Sequence, residues 1–126
     1  MKLNAVGVTS SDMKKTVSFY SLLGFTFSEL KDDEQHLEPF TPDKSARLMI
    51  DAKNVVKEII GQDPQPGNHS SFAIEYDSPE EVDRVVEAVF NAKGKVVREP
   101  WDAFWGQRYA IVEDPDGYRI DLYAAL

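Results

Sequence analysis

One order of elements is written twice along the sequence, and this repetition limits the fold more than any other feature. In the first copy an alternating stretch at 4–9 places Val6 and Val8 on one face. Asp12 follows at the N-cap position of a helix, where its side chain can accept from first-turn amides. Met13, Val17, Phe19, Tyr20, Leu22 and Leu23 recur at helical spacing, and Gly24 supplies the stop. Three strand-like stretches come next, at 25–30, 35–40 and 47–51, separated by the turn formers Asp32-Asp33 and Pro42-Asp43-Lys44.

The second copy repeats this order after a joint at 52–68. A short helix is expected at 52–60, ended by Gly61, Pro64, Pro66 and Gly67. A strand is predicted over 69–76, then a helix opened by Ser78-Pro79-Glu80-Glu81: a serine cap, a proline at the first helical position and carboxylates in the first turn. Val82, Val85, Val86, Val89 and Phe90 form its apolar stripe, and Gly94 ends it. Strands are expected at 95–100, 107–113 and 118–124, the last two joined by Asp114-Pro115-Asp116-Gly117, in which proline presets φ and glycine tolerates a positive φ. The order βαβββ, joint, βαβββ predicts an α+β fold: one domain over 1–126, with unit one at about 1–51, the joint at 52–68 and unit two at about 69–126.

Composition narrows the function classes. The 126 residues suffice for one domain with its own core. With 42% apolar and 29% charged residues the chain is neither disordered nor a membrane protein, and neither a membrane span nor a secretory signal is visible. The absence of cysteine removes disulfides, thiolate metal sites and cysteine nucleophiles, and fits a cytoplasmic location. A net charge of −8 repels phosphate backbones, so no nucleic-acid partner is expected, and it favours cationic ligands. There is no Ser/His/Asp arrangement, phosphate-cradling glycine loop or dinucleotide fingerprint.

Alternation sorts the strand faces. Ala5, Gly7 and Thr9 lie opposite Val6 and Val8; Arg47, Met49 and Asp51 lie opposite Leu48 and Ile50. In the second copy His69, Ser71, Ala73 and Glu75 lie opposite Phe72, Ile74 and Tyr76, and Arg119, Asp121 and Tyr123 lie opposite Ile120 and Leu122. The greasy faces can pack under helices. The other faces either look at water or line a groove. Small residues that leave room, and the aromatic cluster Trp101, Phe104, Trp105 and Tyr109, argue for the groove. Asp51, Glu75 and Asp121 are general-base candidates, with pairing to Arg47, Arg108 or Arg119 as the plainer expectation. His36, in a polar run, reads as an ordinary surface histidine.

Three passages, DMKKTVSFYSLLGF at 12–25, NHSSFAIEYDSPEEVD at 68–83 and WGQRYAIVEDPDGYRIDLYA at 105–124, carry a resemblance to the vicinal oxygen chelate superfamily of glyoxalases, bleomycin-resistance proteins and extradiol dioxygenases. The resemblance implies eight strands in paired βαβββ units, forming curved mixed sheets around a cleft with helices on the outer face, and a homodimer. In the family's metalloenzymes four cleft positions hold a divalent cation. By pattern these fall here on Ala5, Met49, His69 and Asp121. Alanine has no donor atom and a thioether is a poor ligand for hard cations, so only His69 and Asp121 can serve, one short of the usual three protein ligands. No cofactor is therefore expected, a divalent metal being the alternative, with Asp51, Glu75 and His36 the substitutes that sequence can name.

The resemblance is nearest in pattern to the bleomycin-resistance branch. It implies a metal-independent binding protein that sequesters a cationic or aromatic drug-like ligand. Trp101, Phe104, Trp105 and Tyr109 would form the apolar wall, and His69, Asp121, Arg47 and Glu75 the polar lining. The alternatives are a metal-dependent lyase or epimerase of the glyoxalase I type with a rearranged metal site, and a metal-free lyase or isomerase working directly through Asp121, His69 or Glu75.

Overall fold

Strand β1 (Ala5–Ser10) buries Val8 and Ser10 on one face and leaves Gly7 exposed on the other, as its alternation requires. Asp12 caps helix α1 (Met13–Leu22) by accepting from the Lys15 amide. Thr16, Phe19 and Tyr20 are the buried residues of α1, and the Ser10 and Thr16 hydroxyls, 2.6 Å apart, satisfy one another where strand and helix meet. A two-residue strand β2 (His36–Leu37), strand β3 (Arg47–Ala52) and helix α2 (Lys53–Ile60) complete this half. The sheet order is β1-β3-β2, with β1 and β3 parallel and β2 antiparallel to β3.

The computed structural model describes residues 1–67 and 71–126. These divide into two compact units, Met1–Pro66 and Gly67–Leu126. Helix α2 touches β3 and β1, so it belongs to the first unit. Among the described residues no helix is long and apolar enough to cross a membrane.

The second unit holds β4 (Phe72–Glu75), α3 (Pro79–Asn91), β5 (Lys95–Ala103), β6 (Gln107–Glu113) and β7 (Arg119–Ala125). Its sheet order is β4-β7-β6-β5, with β4 parallel to β7 and the other pairs antiparallel. Ser78 caps α3 by accepting from the Glu81 amide, while the Glu81 carboxylate accepts from the Asp77 amide. The helix lies on β5, β6 and β7, burying Val82, Val85, Val86 and Val89; Ala110, Val112, Ile120 and Leu122 of the sheet are buried likewise. A fully buried valine contributes about 1.5–3 kcal/mol, so this seam is the main source of the unit's stability.

Three local details differ from the sequence reading. No strand forms at 25–30, and of 35–40 only His36–Leu37 pairs, so seven strands rather than eight occur among the described residues. The stretch 25–30 touches 35–40 through a single backbone bond, Phe40 N–H to Thr26 O, too little for a ladder to propagate. After α3 the left-handed residue is Lys93, at φ 61°. Gly94 is needed for space instead: a Cβ there would stand 2.7 Å from Val89 Cγ1.

The hairpin between β6 and β7 follows its motif. Buried Asp114 accepts from the amides of Asp116 and Tyr118 through Oδ1, and Gly117 takes φ +95°.

Candidate functional site

Helix α3 covers one face of the second sheet, and pairing register defines what the opposite face presents. Trp101 on β5 stands opposite Tyr109 on β6, Tyr109 opposite Tyr123 on β7, and Tyr123 opposite Glu75 on β4. A neighbouring row runs Arg98, Ile111, Asp121, Ala73. Both rows lie on the face away from the buried Ala110, Val112, Ile120 and Leu122, because side chains alternate along a strand.

Asp121 is the polar centre of this floor. Its Oδ2 accepts from the Tyr109 hydroxyl at 2.7 Å and from the Ser71 hydroxyl at 3.2 Å. Burial, reinforced by that carboxylate, pushes the Tyr109 phenol up to about 12. Tyr109 therefore stays a neutral donor throughout the ordinary pH range. The Tyr109 and Tyr123 rings stack at 6.0 Å with their planes 18° apart, while Trp101 and Trp105 approach Tyr109 at 5.3 and 5.4 Å.

The loop between β5 and β6 sets the height of the aromatic wall. Phe104, Trp105 and Gly106 form a tight turn closed by the Gly106 amide donating to Ala103 O, with Gly106 at φ +89°. The turn leaves Phe104 97% exposed and Trp105 49% exposed, and Trp105 Nε1–H is held by Gln107 Oε1. Phe104 stands at the rim, edge-on to Trp105 at 5.0 Å.

In the first unit, considered by itself, the corresponding face is a charged ladder. His36 Nδ1 lies 2.6 Å from Asp51 Oδ1, and its Nε2 lies 3.1 Å from Glu38 Oε2. Arg47 donates through Nη1 to both Glu38 oxygens and through Nε and Nη2 to Asn4 Oδ1. The hydrogen bond to Asp51 raises the His36 imidazole above its ordinary value, and the bond from His36 lowers Glu38. Each of these groups is engaged by another member of the ladder. A groove of about 600 Å³ lies elsewhere in this unit, lined among others by Ser10, Asp12, Lys14, Lys53, Lys57 and Asp63; it holds none of the site residues named from sequence.

Of those sequence-named residues, the structure brings Asp121, Tyr109, Trp101 and Trp105 together, sets Phe104 at the rim and places Glu75 at the end of the aromatic row. Arg47 belongs to the first unit, bound to Glu38 and Asn4. His69 lies outside the described residues. The expected arginine pairings of Asp51 and Asp121 do not form: Arg108 pairs with Asp83 and Asp102, Asp51 with His36, and Asp121 with two hydroxyls. His36 lies on the surface as expected, yet it is not alone there, since β2 sets it directly opposite Asp51. Sequence reasoning also missed Tyr123, which alternation with Asp121 signalled, and Arg98, whose direction a bulge conceals.

Residues 2–122 match the model of the Glyoxalase/Bleomycin resistance protein/Dioxygenase superfamily. The chain belongs to this superfamily. Solved structures agree in fold. Hypothetical protein SA1046 from S. aureus is 21% identical, with a TM-score of 0.81, covering 99% of this chain and 95% of that one. A glyoxalase/bleomycin resistance protein/dioxygenase family enzyme from Burkholderia phytofirmans PsJN is 18% identical, TM-score 0.81, over 100% of both chains. A lactoylglutathione lyase from Agrobacterium tumefaciens is 15% identical, TM-score 0.69, over 98% of this chain and 92% of that one. At such identities these likenesses establish the fold alone. No curated protein sequence matches the chain.

The superfamily's metal positions can be tested against the side chains present. Ala5 pairs with Arg47 and Gly7 with Met49, so this corner of the first sheet offers a methyl group and a thioether beside a guanidinium. Among the described residues no three His, Asp or Glu side chains are placed to hold a metal ion. Asp121 Oδ2 already accepts two hydroxyl donors. Among the described residues, then, Asp121 is the one member of the four positions with a donor suited to a hard divalent cation, and His69 lies outside them.

Proposed function

We propose that this superfamily member is a metal-independent binding protein whose second sheet receives a planar organic cation. The observation that carries the reading is Asp121: a carboxylate oriented by the Tyr109 and Ser71 hydroxyls within an aromatic floor of Trp101, Trp105, Tyr109 and Tyr123. With Oδ2 committed to those hydroxyls, Oδ1 is the oxygen left to face a ligand, and the rings attract a cation through their faces. The exposed Glu75 at the end of the row and the net charge of −8 act in the same direction. This is the chemistry of sequestration, as in the bleomycin-resistance branch of the superfamily, and it uses no proton-transfer or metal-assisted step.

Calorimetric titration of the chelator-treated protein tests the proposal, using proflavine as a planar cation and acridine-9-carboxylate as its anionic counterpart. Saturable proflavine binding that is unchanged by added zinc, nickel or manganese, and at least tenfold weaker binding of the carboxylate, is the expected result. Binding that requires one of those metals, or equal affinity for the two charges, overturns it.

A further inference from the structure

Strand β5 carries two register irregularities against β6, one between Val96 and Arg98 and one between Arg98 and Trp101. Arg98 pairs with Ile111 and Trp101 with Tyr109, so three steps along β5 match two along β6. Without the bulge, residues three apart would point to opposite faces. With it, Arg98 and Trp101 share the open face, because Ile111 and Tyr109 do. Pro100 sits within the bulge, where its lack of an N–H costs the ladder nothing.

The consequence is a cation resting on the aromatic floor. Arg98 Cζ lies 3.5 Å from the centroid of the Trp101 ring. Arg98 has no hydrogen-bond or ion-pair partner among the described residues, although the chain is strongly acidic. Arg108, one strand away, is by contrast clamped by Asp83 through two nitrogens and by Asp102 through a third. One arginine is fixed and the other is held by a ring alone. An exposed cation–π contact is weak enough for a better-stacking cation to replace it.

We infer that Arg98 is an intrinsic competitor for the binding floor, occupying the face of Trp101 until a planar cation displaces it, and so sets the threshold for which cations the protein accepts. This rests on the cation-binding reading above. A compact alkylammonium exchanges one cation for another on the same ring and gains nothing. A flat aromatic cation gains stacking area over Trp101, Tyr109 and Tyr123 and displaces the guanidinium.

The test is a double-mutant cycle on proflavine affinity, with Arg98→Gln, Trp101→Leu and the pair together, each checked for native circular dichroism. Arg98→Gln should tighten proflavine by about two- to fivefold, the range of an exposed cation–π contact. The same change on the Trp101→Leu background should have no such effect, because the surface under competition is gone. Acridine-9-carboxylate supplies the opposing arm: its binding should not weaken when Arg98 is removed. If wild type binds proflavine but Arg98→Gln binds it no more tightly, the competitor role is wrong and the cation-binding reading survives. If Arg98→Gln instead abolishes carboxylate binding, Arg98 is a ligand-holding residue for anions. If neither wild type nor Arg98→Gln binds proflavine, both readings fall.

Discussion

Both units open with a strand and a helix and pair their first strand parallel with their last, but their open faces differ in chemistry. In the first, His36, Asp51, Glu38, Arg47 and Asn4 saturate one another, so that face is occupied by its own interactions. In the second, a single carboxylate is oriented by two hydroxyls and the surrounding surface is aromatic, with Trp105 half-exposed. A repeated architecture therefore does not imply two equivalent sites. Self-satisfied charges make a sheet face inert, whereas rings and one directed anion leave it able to gain by binding.

The most damaging way to break this contrast is through the β6–β7 hairpin. Asp114→Ala removes the acceptor for the Asp116 and Tyr118 amides, orphaning two partly buried donors. A loss of about 2–4 kcal/mol is expected, counting both donors. Both tryptophans lie in the second unit, so urea denaturation followed by their fluorescence reports on that unit directly. An unchanged midpoint would mean that the turn does not organise the binding sheet.

A smaller change sharpens the contrast without unfolding anything. Asp121→Asn keeps the shape and most hydrogen bonds but removes the charge. Proflavine affinity should fall about tenfold, the worth of one charge-assisted hydrogen bond, while the urea midpoint barely moves. Loss of the carboxylate should also let the Tyr109 phenol ionise below its present value of about 12, although burial, the larger cause, persists; ultraviolet titration against wild type checks this. Equal affinity of both proteins would show that Asp121 is not the anionic anchor.

The smallest effect belongs to the first unit. His36 is raised above its ordinary 6.5, chiefly by its hydrogen bond to Asp51. Its stabilising contribution is therefore fully present below the unfolded value and fades as pH rises through the folded one. Thermal melts of wild type and His36→Gln should differ by less than about 1 kcal/mol at acid pH, since the ladder is solvent-exposed, and converge under alkaline conditions. The proflavine affinity of His36→Gln should match wild type. A difference that grows with pH contradicts the ladder.

Asp12, Ser78-Pro79 and the 114–117 hairpin announced their structures in the sequence, since each is a local pattern whose partner lies within a few residues, and the valine stripe of α3 announced itself by its helical period. The aromatic residues and Asp121 were also visible, by alternation along single strands. His36 escaped because its partner Asp51 is fifteen residues away and meets it only when β2 pairs with β3. The stretch 25–30 misled because alternation expresses a preference for extended backbone but cannot supply a neighbour to pair with.

By itself the sequence determined the strand-helix opening of each half, the greasy faces and the poverty of metal donors at Ala5 and Met49, all properties of residue type and spacing. Only the tertiary structure decided that Asp121 receives two hydroxyls, that His36 closes a charged ladder and that a bulge turns Arg98 onto Trp101. Those outcomes depend on register between strands distant in the chain, where a shift of one residue sends every side chain to the opposite face.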